Sequence, residues 1–314
     1  MVGFSRGPLS QPDHIGVEAS AEVVDALAKQ VGVPADLAVL LIAGLDFPDE
    51  EETYRAEAER RRWAAELVVG NDTFAVLRAG SENGCGVAVT CGSGMNCVGV
   101  APDGRQARFA SLGPISGDAM DGAGAVGLAA VAAAARSEDG RSPKSELERL
   151  VPEYFGLGTP VELARAFHAG RIRWRRLGEL APLVFRAAET DRAAAEIVDR
   201  QADEVVAFVR AALHRLDLAG EEVEVILGGG VLQAGNARLL DGVAAGLREV
   251  GPRLAVRVAS SRPIVGAVLL GLDRLKASPE AYARAREELD RATASLSTSL
   301  GDVAGDPPAV AKLP

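Results

Sequence analysis

A glycine-rich turn between two short strands, preceded by an Asn-Asp pair, is the feature that most constrains this chain. Gly92, Ser93 and Gly94 separate two segments in which valine alternates with other residues, at positions 87, 89, 98 and 100. This alternation predicts a β-hairpin, and the two glycines allow the turn to take positive φ. Bare backbone amides in such a turn commonly hold a phosphate. The stretch therefore predicts an anion-binding loop within a β-sheet.

The Asn-Asp pair, Asn71 and Asp72, ends a short predicted strand and directly precedes an amphipathic segment, Thr73–Ala79. This order places Asp72 at the start of a helix. A carboxylate in that position is commonly an N-cap, which accepts a hydrogen bond from a free backbone amide. The alternative is a general base that faces the phosphate-binding turn. The residues alone leave both interpretations open.

The composition limits the classes of partner. The chain has 314 residues, of which 48% are hydrophobic, which is enough for one large or two moderate domains. Its net charge of −10 and its pI of about 5.0 argue against nucleic acid or a membrane surface as a partner. The sequence shows neither a secretory signal nor an apolar run of about 18 residues. We therefore expect a cytoplasmic protein.

Helices and strands alternate in the prediction for the N-terminal part of the chain. Helices are expected over Val17–Val31 and over the charged segment Asp49–Ala65, and strands over Leu37–Ala43 and Leu67–Val69. The segment Leu37–Ala43 is continuously apolar, which is typical of a strand buried on both faces. The alternation of helix and strand favours an α/β fold.

The rest of the chain is predicted to add strands to the hairpin and to be largely helical between them. A third strand is expected near Ala107–Ser111, and a strand over Val223–Leu227 leads into three consecutive glycines. The tail 295–314 is rich in Ser, Gly, Asp and Pro, and we expect it to be disordered. The other predicted elements are a strand over Leu254–Val258 and helices over Ala123–Arg136, within 143–215, over Asn236–Val250, over Ile264–Leu275 and over 279–294.

Two further groups of residues suggest chemistry. The glycines at 228–230 lie between a strand and a helix, where they leave room either for a nucleotide or for tight helix–strand packing. Asp118 follows a glycine in a predicted loop and is commonly a turn residue in such a context. Together with Asp72 and Asn96, it would supply acceptors and a donor suited to sugar hydroxyls.

Cysteine and histidine spacing gives no sign of a metal site. Cys85, Cys91 and Cys97 recur at every sixth residue around the hairpin, which favours small buried thiols over metal or cluster ligands. Their odd number argues against a disulfide framework. The histidines, at positions 14, 168 and 214, have no metal-ligand spacing. The sequence pattern therefore assigns no metal ligands.

These motifs occur in an order that resembles a known family. Val69–Thr73, Cys91–Cys97, Gly117-Asp118 and Leu227–Gly230 follow one another as in the BadF/BadG/BcrA/BcrD ATPase family, and within it as in the N-acetylglucosamine kinases. That family belongs to the superfamily of acetate kinase, sugar kinases, Hsp70 and actin. The resemblance covers residues 8–276. It implies a two-lobed α/β fold of the actin-like ATPase, or ribonuclease H-like, type.

The resemblance also implies a division into lobes. Residues 1–83 would form the N-terminal lobe, completed by residues 264–294, and residues 84–263 would form the C-terminal lobe with the phosphate hairpin and the adenosine motif. The resemblance is also compatible with a homodimer.

The activity implied by the resemblance is that of an ATP-dependent kinase of N-acetylglucosamine or a related amino sugar, with ATP and Mg²⁺ as cofactors. Asp72 matches the carboxylate that takes the proton from the sugar hydroxyl, and Asn71, Asn96 and Asp118 match substrate-binding positions. The cofactor-binding positions are Gly92, Ser93 and Gly94 in the second phosphate loop and Gly228, Gly229 and Gly230 in the adenosine motif.

Two features depart from the family pattern. The first phosphate loop, Asp-x-Gly-Gly-x-[Ser/Thr], is not found before Val17, which predicts an incomplete N-terminal lobe with negligible phosphoryl transfer and retained sugar binding. Such a lobe would leave the strand at Leu37–Ala43 without neighbours. The segment Ala119–Asp121 stands where related chains tend to have an aromatic residue or a glycine run, which bears on sugar specificity.

Two other functions fit the same motifs. A dehydratase-activating ATPase of this family would hold an iron–sulfur cluster at a dimer interface, which the wide cysteine spacing in the hairpin does not favour. A non-catalytic sugar-binding relic would have lost its nucleotide half-site. A sugar-sensing repressor is not expected, because no helix-turn-helix segment is recognised ahead of the motifs.

Overall fold

The computed structural model describes residues 3–32 and 35–297, and its strands form two separate sheets. The smaller sheet is N-terminal and has two parallel strands, whereas the larger sheet has five strands of mixed direction. Within the described residues, every helix is either too short or too polar to span a lipid bilayer. The predicted disorder after residue 295 concerns residues that lie almost entirely outside the described part of the chain.

The N-terminal unit alternates helices and strands, as predicted. The predicted helix at 49–65 is shorter than expected because Arg62 takes a left-handed conformation, with φ of 57°, and ends it. The chain then enters the second strand at Ala64. The elements are α1 (Pro12–Ile15), α2 (Val17–Val31), β1 (Ala35–Ile42), α3 (Pro48–Arg61), β2 (Ala64–Asn71) and α4 (Thr73–Gly80).

Both sequence-based predictions about the environment of β1 are wrong. The strand has a neighbour, because it pairs with β2 in parallel from Ala35 opposite Ala64 to Ile42 opposite Asn71. It is also not buried on both faces, since all its residues are half-buried or exposed. Each strand of a two-stranded sheet is an edge strand, so a continuous apolar run here does not produce the complete burial of an inner strand.

The larger sheet carries the predicted hairpin at its centre. Thr90 pairs in parallel register with Gly228, so the hairpin turn and the three-glycine turn emerge at the same edge of the sheet. The order is β5-β4-β3-β6-β7, with antiparallel pairing among the first three and parallel pairing from β3 to β7. The strands are β3 (Gly86–Cys91), β4 (Met95–Val100), β5 (Gln106–Arg108), β6 (Val223–Gly228) and β7 (Leu254–Val258).

Helices after β5 form the remainder of the described chain. Short 3₁₀ helices lie at Gly113–Ile115 and Trp174–Leu180. The α-helices are α5 (Gly122–Glu138), α6 (Leu147–Tyr154), α7 (Pro160–His168), α8 (Ala181–Ala187), α9 (Arg192–Arg215), α10 (Gly230–Gln233), α11 (Ala237–Val250), α12 (Pro263–Arg274) and α13 (Pro279–Ser297).

The two faces of the larger sheet pack against different helices. Val87 and Val89 of β3 lie in a core shared with α5 and α9. On the opposite face, Ala88 of β3 and Ile226 of β6 pack against α4, through Val76 among others. Because α4 directly follows β2 of the smaller sheet, this packing joins the two sheets through one helix.

α12 holds α4 from another side. Gly266 permits close approach, since a Cβ atom there would overlap the carbonyl oxygen of Ala75. Arg78 of α4 is buried and pairs with Asp273 of α12, with Nε 2.6 Å from Oδ2. α12 also lies beside β1, where a Cβ at Gly271 would sit 3.4 Å from Val39. The division into lobes at residues 83 and 84 stays a prediction.

Candidate active site

Asp72 lies where β2 ends and α4 begins, next to the larger sheet. Its backbone is already helical, with φ of −65° and ψ of −20°, and its side chain makes no capping hydrogen bond. The amide of Thr73 donates instead to Oδ1 of Asn71, at 2.9 Å. Of the two interpretations left open for Asp72, the helix cap is not formed; Asn71 accepts from the first helical amide instead, and the Asp72 carboxylate is left for another role.

The environment of Asp72 favours proton acceptance near neutral pH. Burial raises the pKa of Asp72 from its ordinary value of 3.8 to about 6, because the charged carboxylate loses its water. Neighbouring backbone amides act in the opposite direction but do not cancel the effect of burial. A group that titrates this close to pH 7 is suited to general base catalysis.

Asn71 is buried, with 2% of its surface exposed, and its side chain is fully engaged. Its Nδ2 atom lies 2.9 Å from Oδ1 of Asp46 and 3.3 Å from the carbonyl oxygen of Leu45. Its Oδ1 atom accepts from Thr73. In this conformation Asn71 orients its neighbours, and its predicted role in substrate binding stays a prediction.

Asn96 reaches the same carboxylate from the larger sheet. Its Nδ2 atom lies 2.7 Å from Oδ1 of Asp46. Its own Oδ1 accepts from the hydroxyl of Ser111 at 2.9 Å and from the amide of Cys97 at 2.6 Å. The structure thus brings three predicted site residues together around one carboxylate. We call this group the inter-sheet cluster: Asp46, Asn71, Asp72 and Asn96.

Asp46 is not among the site residues predicted from the sequence. It is half-buried, and its pKa is raised from 3.8 to about 7, first by burial and then by neighbouring negative charges. Arg108 opposes this rise but does not reverse it. The carboxylates that raise the pKa are those of Glu50, Asp13 and Asp72.

A signal for Asp46 is present in the sequence. It follows β1 in the turn Gly44–Pro48, just as Asp72 follows β2. The carboxyl ends of parallel strands meet at one edge of a sheet, where ligands commonly bind. Parallel pairing of the two predicted strands would therefore have placed both carboxylates at the same edge.

The hairpin turn forms as predicted, but its backbone does not take the positive φ expected at the two glycines. Neither Gly92 nor Gly94 has a positive φ, and the Gly92 amide closes the turn by donating to the Gly94 carbonyl at 2.8 Å. Ser93 and Gly94 are exposed at the tip. Their amides donate no hydrogen bond to any residue that the structure describes. Two free amides at the tip could bind an anion such as phosphate.

α5 begins directly against this turn and holds it in place. The amides of Ala123 and Gly124 donate to two carbonyl oxygens of the turn, at 2.9 and 3.1 Å. The carboxylate of Asp121 accepts from the amide of Met95 at 2.6 Å. The segment that departs from the family pattern therefore anchors the hairpin through Asp121.

The glycines at 228–230 do not all serve the same purpose. Tight packing explains two of them, and the third is open to solvent. A Cβ at Gly228 would overlap Val76, and one at Gly229, where φ is +85°, would overlap the carbonyl oxygen of Cys91. These two glycines are required by packing and by backbone conformation. A Cβ at Gly230 would meet nothing within 4 Å. Gly230 is exposed at the same sheet edge as the hairpin tip, and its predicted role in nucleotide binding stays a prediction.

Asp118 is buried, with 8% of its surface exposed, but belongs to a different group. Its Oδ2 accepts from the hydroxyl of Ser116 at 2.7 Å. Its charge contributes to the raised pKa values of Asp121 and Glu204. Asp118 makes no hydrogen bond to the inter-sheet cluster, so its predicted role in sugar binding stays a prediction.

The side chains of this site could hold Mg²⁺ only together with the phosphates of a bound nucleotide. The described residues contain no group of three or more His, Cys, Asp or Glu side chains that could hold a metal ion. Mg²⁺ in phosphoryl-transfer sites is usually held by one or two carboxylates together with substrate phosphates.

Two of the three cysteines near the hairpin are buried thiols, as predicted, and the third is not. Cys91 and Cys97 are buried, whereas Cys85 is half-buried. Burial raises the pKa of Cys91 to about 12 and raises that of Cys97 further. Thiols in this state are poor ligands and nucleophiles, because the thiolate is the reactive form.

Sequence comparisons identify a family and two kinases to which this chain is similar. The BadF/BadG/BcrA/BcrD ATPase family model matches residues 12–271. The chain is 26% identical over 191 residues to an N-acetylmuramic acid/N-acetylglucosamine kinase of Clostridium acetobutylicum, covering 60% of this chain and 62% of that protein. It is 25% identical over 228 residues to the N-acetyl-D-glucosamine kinase of Dictyostelium discoideum, covering 69% of this chain and 70% of that protein. The match thus spans less than two thirds of the Clostridium kinase.

Solved structures show the same fold. A candidate N-acetylglucosamine kinase from Chromobacterium violaceum superimposes with a TM-score of 0.61 at 25% identity, over 83% of this chain and 86% of that one. A second candidate N-acetylglucosamine kinase, from Porphyromonas gingivalis, superimposes with a TM-score of 0.56 at 16% identity. The superposition covers 85% of this chain and 89% of that one. These similarities confirm the predicted actin-like ATPase fold class. The family match over most of its length shows that the chain belongs to the BadF/BadG/BcrA/BcrD ATPase family.

Proposed function

We propose that this chain is an ATP-dependent sugar kinase acting on N-acetylglucosamine or a related amino sugar. One observation carries the proposal: Asp72 is a half-buried carboxylate that makes no capping bond although it stands at a helix start between the two sheets. Its pKa of about 6 suits a general base. The two N-acetylglucosamine-type kinases, which are 26% and 25% identical to this chain over the aligned residues, support the substrate class.

In the proposed reaction, Asp72 accepts the proton of a sugar hydroxyl as the hydroxyl oxygen attacks the γ-phosphorus of ATP. The new oxygen–phosphorus bond forms while the bond from that phosphorus to the β–γ bridging oxygen breaks, and ADP leaves. The proton then passes from Asp72 to solvent. Asn96 and Asp118 bind other hydroxyls of the sugar by hydrogen bonds.

The nucleotide is proposed to lie along the edge where β3 and β6 end. The free amides of Ser93 and Gly94 would bind its phosphates, and the open space at Gly230 would accept the adenosine. Mg²⁺ would be held chiefly by the phosphates and would neutralise their charge. Phosphoryl transfer depends mainly on positioning and charge neutralisation, which such an arrangement can supply.

A sugar-binding protein without kinase activity is the second candidate. The inter-sheet cluster offers carboxylate acceptors and an amide donor that can bind sugar hydroxyls without a nucleotide. Such a protein would bind the sugar and transfer no phosphoryl group.

The test measures ADP release and sugar binding on the same proteins. N-acetylglucosamine is supplied to the wild type, to Asp72→Asn and to Asp49→Asn, and calorimetry gives the sugar affinity of each. Asp49 is a matched control because it is an exposed carboxylate in the first turn of a helix. We expect Asp72→Asn to lower turnover by about a hundredfold or more while sparing sugar affinity, and Asp49→Asn to change neither.

Each other outcome has a meaning. Full turnover by Asp72→Asn would contradict the proposed base. Sugar binding by the wild type without ADP release would favour the second candidate. Neither binding nor turnover with any amino sugar would contradict both.

A further inference from the structure

The carboxylate of Asp46 bonds to both sheets through one oxygen and leaves the other free. Its Oδ1 accepts from Asn71 of β2 at 2.9 Å and from Asn96 of β4 at 2.7 Å. Its Oδ2 accepts no hydrogen bond from any residue that the structure describes. Because Oδ2 is not among the buried side-chain atoms that lack a partner in the described residues, it is an acceptor that water or a ligand can reach.

The fold of the surrounding turn does not require this side chain. The amides of Asp46 and Phe47 donate to the carboxylate of Glu50, at 2.8 and 3.0 Å, which closes the start of α3. Arg108 holds the same turn by pairing with Glu51 and donating to the carbonyl oxygen of Leu45. The turn would keep its shape if the Asp46 side chain were shortened.

The electrostatic surroundings also disfavour a charge here. The carboxylates of Asp13, Glu50 and Asp72 face Asp46 from α1, α3 and the start of α4, and the guanidinium of Arg108 of β5 opposes them without reversing their effect. Burial and these charges raise the pKa of Asp46 to about 7. Features that cost stability in this way are commonly retained at functional sites.

The inter-sheet cluster needs an acceptor that only its carboxylates can supply. Oδ1 of Asn71 accepts from Thr73 and belongs to a residue that is only 2% exposed, and Oδ1 of Asn96 already accepts from both Ser111 and Cys97. Asn96 retains one amide hydrogen and can only donate. A sugar hydroxyl that donates to this cluster must therefore donate to Asp72 or to Asp46.

We infer that Asp46 is a substrate-binding residue whose free Oδ2 accepts a hydrogen bond from a sugar hydroxyl beside the one that Asp72 deprotonates. This inference rests on the proposed function. The bonds from Asn71 and Asn96 to Oδ1 hold the carboxylate in one orientation and leave Oδ2 as the acceptor that a ligand can use. Because the two amides come from different sheets, the same contact couples sugar binding to the spacing of the sheets.

The test compares Asp46→Asn and Asp46→Ala with the exposed control Asp49→Asn, using calorimetry with N-acetylglucosamine and with its monodeoxy analogues. Asp46→Asn is the sharper change, since its carbonyl oxygen can still accept from the two amides while an NH₂ donor replaces Oδ2. We expect both Asp46 variants to weaken sugar binding by about ten- to a hundredfold, the range for a hydrogen bond to a charged group. ATP affinity and the control's sugar affinity should stay within about twofold of wild type, below the loss of any hydrogen bond.

The analogues identify the contact. One monodeoxy sugar should bind the wild type about tenfold more weakly yet lose no further affinity in Asp46→Ala, because its missing hydroxyl is the partner of Oδ2. Additive losses for every analogue, or unchanged sugar affinity in Asp46→Asn, would overturn the inference. Loss of both sugar and ATP binding together with a lowered Tm would also overturn it and make Asp46 structural.

The readouts separate this inference from the proposed function. The proposed function fails if the wild type releases no ADP with any sugar, or if Asp72→Asn keeps full turnover. The inference fails alone if the wild type binds the sugar and Asp46 makes no difference.

Discussion

Arg108 of β5 pairs with Glu51 of α3 through both terminal nitrogens of its guanidinium group, Nη1 and Nη2, so the edge of the larger sheet is bonded to the N-terminal unit. The Nη1 atom of Arg108 lies 3.0 Å from Oε2 of Glu51, and the guanidinium lies 5.4 Å from the ring centre of Phe74. The two paired side chains are only 22% and 17% exposed. Such a shielded, bidentate pair contributes more to structure than an exposed one. It holds the two sheets together beside the inter-sheet cluster.

Arg108→Met should therefore lower both stability and sugar affinity. The substitution leaves the Glu51 carboxylate half-buried without its cation, which we expect to cost about 1–3 kcal/mol. The control is Arg105→Met, which removes an exposed pair with Asp103 worth less than about 1 kcal/mol. Thermal melts and sugar calorimetry on both variants test this. Equal melting temperatures for the two variants would show that the Arg108–Glu51 pair stabilises the fold no more than the exposed Arg105–Asp103 pair.

The rate of sugar phosphorylation should depend on the ionisation of Asp72. A general base acts only when deprotonated, and the pKa of Asp72 is raised to about 6. The expected kcat/KM therefore rises with pH through about 6 and falls steeply below it. The profile of ADP release against pH, measured with N-acetylglucosamine, checks this. An acid limb near the ordinary aspartate value of 3.8 would contradict the assignment, as would an unchanged limb in Asp72→Asn.

The stability of the protein should carry a pH signature of Asp46. Its pKa is about 7 in the folded chain against an ordinary value of 3.8, so the folded state binds this proton more tightly than the unfolded state. The resulting stabilisation is complete below about pH 4 and is lost as the pH rises through about 7.

Asp46→Asn, which is neutral at every pH, should therefore melt at a higher temperature than the wild type at about pH 8 and not at about pH 4. Thermal melts across this range, with Asp49→Asn as the control, give the difference directly. A difference that is constant with pH, or that grows toward acid pH, would contradict the raised pKa.

Two glycines of α12 provide a matched test of how closely this helix packs. Gly266→Ala places a methyl group on the carbonyl oxygen of Ala75, which forces α12 away from α4 and should cost about 1–3 kcal/mol by overpacking. At Gly271, the methyl group would lie 3.4 Å from Val39, an ordinary contact, so Gly271→Ala should stabilise the helix by up to about 1 kcal/mol. Melting temperatures that shift in the same direction would contradict this description of the interface.

Local patterns predicted most of the secondary structure and several of the motifs. The hairpin at Gly92–Gly94 was predicted by alternating valines, and the helix after Asp72 by its amphipathic run; both form. Patterns of this kind depend on interactions within a few residues of the chain, so they can be recognised without tertiary information. The three-glycine turn was also placed correctly, because the strand β6 and the helix α10 flank it.

The same local information could not decide what each side chain does. The sequence by itself determined that a polar pair, Asn71 and Asp72, begins α4, but the tertiary structure decided that Asn71 caps the helix and Asp72 does not. It also decided that Asp46 is central, by joining it to residues 25 and 50 positions away along the chain. Hydrogen-bond partners, burial and pKa depend on which distant segments meet, and that is set by the packing of the two sheets around α4 rather than by neighbours in the sequence.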